Sequence, residues 1–297
     1  MLFAKKSAVE KRTQFRKDLS SGRLLRFPGA MSPLTAMMIE KKGFDGVYIS
    51  GAVLAADLGL PDIGLTTLSE VAGRGHQIAR VTELPSIIDA DTGFGEPMNA
   101  ARTIQILDEM GIAGCHLEDQ ENPKRCGHLD NKSVVSAADM VKKVQAAAKA
   151  RRDSNFTLIA RTDSRAAEGL DKCIDRAKAY IDAGADIIFP EALQDEKEFE
   201  AMRKAVKAPL LANMTEFGKS KLLTAKQLEA LGYNIVIYPV TTLRIAMGAI
   251  DRGLDTIKTE GTQESLLGEM QHRKDLYALI RYEEYNQFDQ GIFNFKL

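Results

Sequence analysis

Short runs of apolar and β-branched residues alternate along this chain with longer amphipathic stretches. The runs fall at 24–27, 46–50, 86–89, 114–117, 157–160, 186–189, 209–212 and 235–238. Between them, apolar residues recur at helical spacing over 68–81, 98–110, 137–150, 170–183, 196–205, 225–231 and 242–253. Glycine follows several of these stretches, as in Lys42-Gly43, Met110-Gly111, Ala183-Gly184 and Leu231-Gly232. A glycine there readily takes the left-handed conformation that ends a helix. Strand–helix alternation of this kind predicts parallel βαβ units. Eight such units predict an α/β protein built as a closed (β/α)8 barrel of the TIM type. An open doubly wound sheet is the alternative, but no Gly-x-Gly-x-x-Gly turn follows the first run, which weakens a dinucleotide-binding reading. After Gly253 the pattern changes: 265–288 is helical, charged and tyrosine-rich, with Leu266, Leu267, Met270, Leu276, Tyr277, Ile280 and Tyr285. That apolar face is surplus to a complete barrel, so it is expected on another subunit or on the outside of its own barrel. No linker or repeat divides the chain, so one domain over 1–297 is expected, with 254–297 as a C-terminal helical extension.

Composition narrows the function. Hydrophobic residues make up 44% of the 297, enough for a large core, and 40 Lys+Arg balance 41 Asp+Glu. No bulk charge points to nucleic acid or a membrane surface. No apolar run approaches the roughly 18 residues of a spanning helix, and the N-terminus lacks a signal-peptide core. Its basic residues (Lys5, Lys6, Lys11, Arg12, Arg16, Lys17) are interrupted by Glu10 and Asp18, which favours an N-terminal helix over a transit peptide. Three cysteines, an odd number, argue for free thiols in a reducing compartment, and hence the cytoplasm.

In a barrel of this kind the reactive groups gather where the strands end. Here nearly every strand ends in one: Tyr48-Ile49-Ser50-Gly51, Asp89-Ala90-Asp91, Glu118-Asp119, Arg161-Thr162-Asp163, Glu191, Asn213-Met214-Thr215, and Tyr238-Pro239 with Arg244 beyond. Ordinary helix capping does not explain the set, because arginine and glutamate are poor N-caps. Asp89, Asp91 and Glu118 are the oxygen ligands that a hard divalent cation takes, and Mg2+ typically uses one or two carboxylates and keeps several waters. Asp89 and Asp91 reach one site only if the strand breaks between them, which Gly93 and Gly95 favour. Arg161, Arg244 and Arg273 offer bidentate donors for carboxylates, while Asn213 and Thr215 add neutral hydrogen bonds. The segment Lys124-Arg125-Cys126-Gly127-His128 places a thiol among cations that favour the thiolate, beside a histidine able to hold a proton. Cys115 and Cys173 are expected to be core thiols, and His116 a packed residue within the barrel. A cation, arginines and an acidic thiol suit cleavage of a C–C bond beside a hydroxyl.

These motifs, together with Phe27-Pro28-Gly29-Ala30, Leu60-Pro61-Asp62, Asp89-Ala90-Asp91-Thr92-Gly93-Phe94-Gly95, Phe189-Pro190-Glu191-Ala192 and Asn213-Met214-Thr215-Glu216-Phe217-Gly218, make the chain resemble the isocitrate lyase/phosphoenolpyruvate mutase superfamily over essentially its whole length. Within it, Arg125 and the short chain resemble the lyases of 2-methylisocitrate. The resemblance implies Mg2+-dependent cleavage of (2S,3R)-2-methylisocitrate to pyruvate and succinate in propionate breakdown, with Mn2+ able to substitute. It implies a homotetramer that exchanges C-terminal helices. It also implies metal binding by Asp89, Asp91 and Glu118, with Asp62 through water. Catalysis would fall to Cys126, Tyr48, Arg161 and His128. Substrate would be bound by Ser50, Gly51, Ala52, Cys126, Gly127, Arg161, Glu191, Asn213, Thr215, Arg244 and Arg273, with Phe189, Ile237 and Pro239 enclosing the substrate methyl. Ala52 departs from the second glycine that many relatives carry. A sister lyase or hydrolase of isocitrate, dimethylmalate or oxaloacetate is the competing enzyme reading. A catalytically dead barrel serving as a scaffold would have lost metal or acid residues, and none is missing.

Overall fold

The computed structural model describes residues 4–125, 127 and 132–294. Eight strands form: β1 (Leu25–Pro28), β2 (Val47–Ile49), β3 (Ser86–Asp89), β4 (Gly114–Glu118), β5 (Thr157–Thr162), β6 (Ile187–Pro190), β7 (Leu211–Asn213) and β8 (Ile235–Tyr238). All pair in parallel, β2 through β6 in sequence and β7 with β8 and β8 with β1. Single parallel bridges, Gly29 to Tyr48 and Ile188 to Leu210, join the two groups into a ring. The eight apolar runs thus form the expected barrel.

Among the described residues thirteen α-helices accompany the strands: α1 (Ala8–Leu19), α2 (Pro33–Lys41), α3 (Gly51–Asp57), α4 (Leu68–Ala79), α5 (Pro97–Glu109), α6 (Ala137–Ala150), α7 (Ser164–Glu168), α8 (Leu170–Asp182), α9 (Glu196–Ala205), α10 (Ala225–Ala230), α11 (Thr241–Glu260), α12 (Arg273–Leu279) and α13 (Tyr282–Phe293). Their starts are set by local chemistry. Ser7 with Glu10, Thr67 with Glu70 and Thr224 with Gln227 form reciprocal capping boxes at α1, α4 and α10. The glycines expected to end helices, Gly43, Gly111, Gly184 and Gly232, all have positive φ.

The core has two layers. Inside the barrel, Leu25, Phe27, Tyr48, Ile87, Ile159, Phe189, Leu211, Ile235 and Ile237 pack with Phe15 and Leu19 of α1. The N-terminal helix therefore plugs the barrel floor, with the Phe15 and Phe27 rings 5.4 Å apart. Arg12 fastens it by hydrogen bonds to Asp108 Oδ1 and the Ile112 carbonyl. Outside the strands, the larger cluster fills the space under the helices and takes in Cys115 and Cys173. Both thiols are buried as expected, and burial pushes Cys173 up to about 12.

The C-terminal part departs from its expected form. The helix over 242–253 continues unbroken to Glu260, and 265–288 is not one helix but a short 3-10 turn, α12 and α13. The break falls at Arg281, in the left-handed region at φ 57°, where neither Gly nor Pro marks it. No residue of α11, α12 or α13 is buried. Among the described residues, no helix is long and apolar enough to cross a membrane.

Candidate active site

Because the strands are parallel, their C-terminal ends share one rim. β3 ends at Asp89, and the chain then turns sharply: Asp91 has φ 45°, Gly93 90° and Gly95 140°. The Asp91 N–H donates to Asp89 Oδ1 at 3.0 Å, so the turn brings both carboxylates to one place. Asp89 Oδ2 accepts from the Gly51 N–H at 3.2 Å. A Cβ at Gly51 would sit 2.8 Å from that oxygen, so only glycine fits. Ser50 is buried beside it, and Ala52 opens the first turn of α3.

Tyr48 and His116 face each other across the bore. The Tyr48 hydroxyl lies 2.8 Å from His116 Nε2, and His116 Nδ1 lies 3.6 Å from Asp89 Oδ1. Burial lowers the His116 pKa to about 4, so the ring is neutral. Burial, then the charge of Asp89, raises Tyr48 well above its usual value. The phenol and the ring therefore form one buried hydrogen-bonded pair at the bore.

Glu118 closes β4 and is almost wholly buried; neither carboxylate oxygen has a hydrogen-bond partner. Its nearest cation is Arg161, with Nε 3.2 Å away. Burial raises the Glu118 pKa well above normal. Asp91 is likewise pushed up, to about 6, by burial and by Asp89. Asp89 itself stays ionised: burial opposes this, but His116, Lys124 and Arg161 pull its pKa down to about 2. The Lys124 ammonium lies 2.7 Å from Asp91 Oδ1 and also bonds Asp62. Its charge thus pairs with two carboxylates of the rim.

Arg161 is more heavily engaged than its strand-end position suggested. Its fork binds Asp163 at 2.8 and 3.1 Å, Nη2 lies 3.3 Å from Glu191 Oε2, and the guanidinium stacks 5.1 Å above the Phe189 ring. Asn213 donates to Glu191 Oε2 at 3.3 Å. Gly127 reaches this same group, since a Cβ there would collide with Arg161 Nη2 and the Glu191 side chain. The segment carrying the cysteine motif therefore meets the rim at Gly127. Cys126 and His128 lie outside the described residues. Thr215 is buried just beyond β7. Arg244 is half-exposed and paired with Glu216 Oε2 at 3.0 Å, stacked on Phe217. Phe189 and Ile237 lie in the barrel interior, and Pro239 is buried with its carbonyl against Gly29. Arg273 begins α12, is itself exposed, and among the described residues no contact brings it to the rim of its own chain.

A family model described as phosphoenolpyruvate phosphomutase matches residues 15–258. The chain belongs to the phosphoenolpyruvate phosphomutase family. It is 61% identical to a protein of Corynebacterium glutamicum named probable 2-methylisocitrate lyase 1, over 99% of this chain and 97% of the relative. Among solved structures, an oxaloacetate acetylhydrolase bound to 3,3-difluorooxalacetate matches with a TM-score of 0.92 at 32% identity, covering 98% of this chain and 100% of that one. A phosphonopyruvate hydrolase in complex with oxalate and Mg2+ matches with a TM-score of 0.86 at 29% identity, covering 94% and 98%.

Within this phosphomutase-family barrel the residues fit a hard divalent cation. Among the described residues, the carboxyl groups of Asp62, Asp89, Asp91, Glu118, Asp163 and Glu191 gather around the cations of Lys124, Lys132 and Arg161, so acids outnumber cations at this rim. Both Glu118 oxygens are buried and, among the described residues, make no hydrogen bond, although Arg161 Nε lies 3.2 Å from Oε2. Among the described residues, no three His, Cys, Asp or Glu side chains form a ready-made cage. The donors at this rim are carboxylate oxygens, which suit a hard cation such as Mg2+, whereas a zinc-type site uses nitrogen and sulfur.

Sequence reasoning missed three members of the site. Lys132 pairs with Asp163 at 2.8 Å. Asp163 was seen only as a strand ending. Asp119, wholly buried, receives the Thr162 and Tyr180 hydroxyls at 2.7 Å each and the Asp163 N–H at 2.8 Å. Asp119 and Asp163 both carried a signal as acids at strand ends, whereas Lys132 carried none.

Proposed function

We propose that this chain is a carbon–carbon lyase that cleaves 2-methylisocitrate to pyruvate and succinate, with Mg2+ bound through Asp89, directly or by water, and with Asp91, Asp62 and Glu118 around it. The observation that carries the reading is the seating of Gly127 against Arg161 and Glu191. Gly127 belongs to the Lys-Arg-Cys-Gly-His motif, so this contact supports reading the motif as part of the site. The relative named for this reaction, alike over nearly its full length, supports the substrate. The bound cation would polarise the substrate hydroxyl and its neighbouring carboxylate. The substrate's hydroxyl proton must leave as its oxygen becomes the pyruvate carbonyl, and Tyr48, hydrogen-bonded to His116 at the end of β2, is the candidate group to receive it. Cys126 gives its proton to the carbon that becomes a methylene of succinate. Arg161, fixed by Asp163, Glu118 and Glu191, presents its remaining donors to a substrate carboxylate.

Specificity follows from one methyl group. Phe189 and Ile237 are rigid in the barrel core, and Phe189 lies directly under Arg161. A site shaped for the methyl leaves a void under isocitrate, which loosens the reacting geometry. The expected kcat/KM for 2-methylisocitrate exceeds that for isocitrate by at least about tenfold. Parallel assays with both compounds and oxaloacetate check this, and equal efficiency with isocitrate reassigns the enzyme to the sister reaction.

The same reading makes the protein a cytoplasmic homotetramer that exchanges helices. α11 leaves Ile245, Met247, Ile250, Leu254 and Ile257 exposed. Beside β1 and β8 an apolar groove of about 690 Å³ runs past Met38, Ile39, Phe44 and Tyr238. A partner's α11 would cover that wall. Ile250→Asp with Leu254→Asp is expected to reduce the assembly seen by light scattering while leaving the far-ultraviolet circular dichroism unchanged. An intact tetramer in that variant defeats the exchange.

A further inference from the structure

Lys132 has no part in the chemistry above, yet its side chain is 1% exposed and that of its partner Asp163 is 0%. Burying an ammonium is costly unless its partners are well placed. Here they join two parts of the site. Lys132 Nζ donates to Asp163 Oδ1 at 2.8 Å and also to the Gly127 carbonyl. The same Asp163 carboxylate takes the Arg161 Nε at 2.8 Å and Nη2 at 3.1 Å, two of the five donors of that guanidinium. From behind, Asp119 holds the Asp163 N–H at 2.8 Å and is itself held by the Tyr180 hydroxyl of α8 at 2.7 Å. The aspartate therefore has a fixed backbone and a fixed carboxylate, and among the described residues Lys132 bridges it to the Gly127 backbone.

We infer that Lys132 is a positioning residue that ties the Gly127 backbone to the Asp163–Arg161 pair, so that the segment bearing Cys126 and the guanidinium at the rim are set in one register. Its kinetic arm rests on the lyase reading; its structural arm does not.

The test compares Lys132→Met, Lys132→Arg, Asp163→Asn and the double variant Lys132→Met/Asp163→Asn. Three readouts are taken: kcat and KM for 2-methylisocitrate, the rate at which iodoacetamide alkylates Cys126 as located by mass spectrometry, and the melting temperature. Lys132→Met is expected to lower kcat by about thirtyfold or more with KM changed less than about threefold, as for a misplaced reacting group. The Cys126 alkylation rate is expected to change at least about fivefold in both single variants, with the double no further displaced than the larger single, because residues of one network are not additive. Lys132→Arg, which keeps the charge and the donors, is expected to recover most of the wild-type values, and melting temperatures are expected to stay within a few degrees. Unchanged alkylation in Lys132→Met, single effects that multiply in the double, or an arginine variant no better than methionine each overturn the inference. If Lys132→Met does not fold, Asp163→Asn and Lys132→Arg decide it by alkylation. A wild-type protein without lyase activity rejects the proposed function and leaves the alkylation measurement, which needs no substrate, to judge Lys132.

Discussion

Exhaustive chelation of the purified protein is expected to abolish turnover of 2-methylisocitrate, and added Mg2+ or Mn2+ to restore it. The loss is expected to exceed about a thousandfold, because Lewis-acid stabilisation of developing charge contributes several kcal/mol. The charge balance at the rim motivates the expectation. Glu118 has two buried oxygens without a hydrogen-bond partner, Asp91 has its pKa pushed up to about 6, and Lys124 is shared between Asp62 and Asp91. A divalent cation relieves this crowding of negative charge, so Mg2+ is also expected to raise the melting temperature, by mass action on the folded state. Asp89→Asn is expected to remove both effects. Full activity after chelation, or equal stabilisation of Asp89→Asn, rejects the metal site.

Replacing the motif cysteine has an effect of similar size. Cys126→Ser is expected to keep substrate binding, measured by calorimetry, while turnover falls by about three orders of magnitude, since serine matches the size of cysteine but not its acidity. The other two thiols cannot stand in. Cys115 is wholly buried within β4, and Cys173 lies in α8 with its pKa pushed up to about 12 by burial. Near-normal turnover in Cys126→Ser removes the thiol from the mechanism.

The barrel was legible because strand period, helix period and terminal glycines agree. All eight apolar runs overlap a strand, and β3 and β8 match their runs end to end. α2, α3 and α7 escaped the reading for a physical reason: they are short, and Gly51-Ala52-Val53-Leu54-Ala55-Ala56 is apolar all round, so no helical face stands out. At the site, residue types at strand ends identified Asp89, Glu118, Arg161 and Glu191, because the topology itself delivers them to one rim. Pairings across loops were not legible. Nothing local says that Lys124 turns toward Asp62, 62 residues away, or Lys132 toward Asp163, 31 residues away. Nor does periodicity tell that Arg244 spends itself on Glu216, or that Arg273 lies on an exposed helix of its own chain.

The ring is closed by the pairing of its first strand with its last, Leu25 with Ile235, a separation of 235 − 25 = 210 residues. At translation speeds of about 5–20 residues per second, roughly 10–40 s pass between the appearance of β1 and that of its second neighbour. Throughout that interval the growing chain carries a strand with one open edge, and α1 cannot yet seal a floor to which β7 and β8 must still contribute. The enzyme is thus committed to late closure on the ribosome. Among the strands, β1 waits longest for its second neighbour, and its edge stays unpaired until β8 has been made.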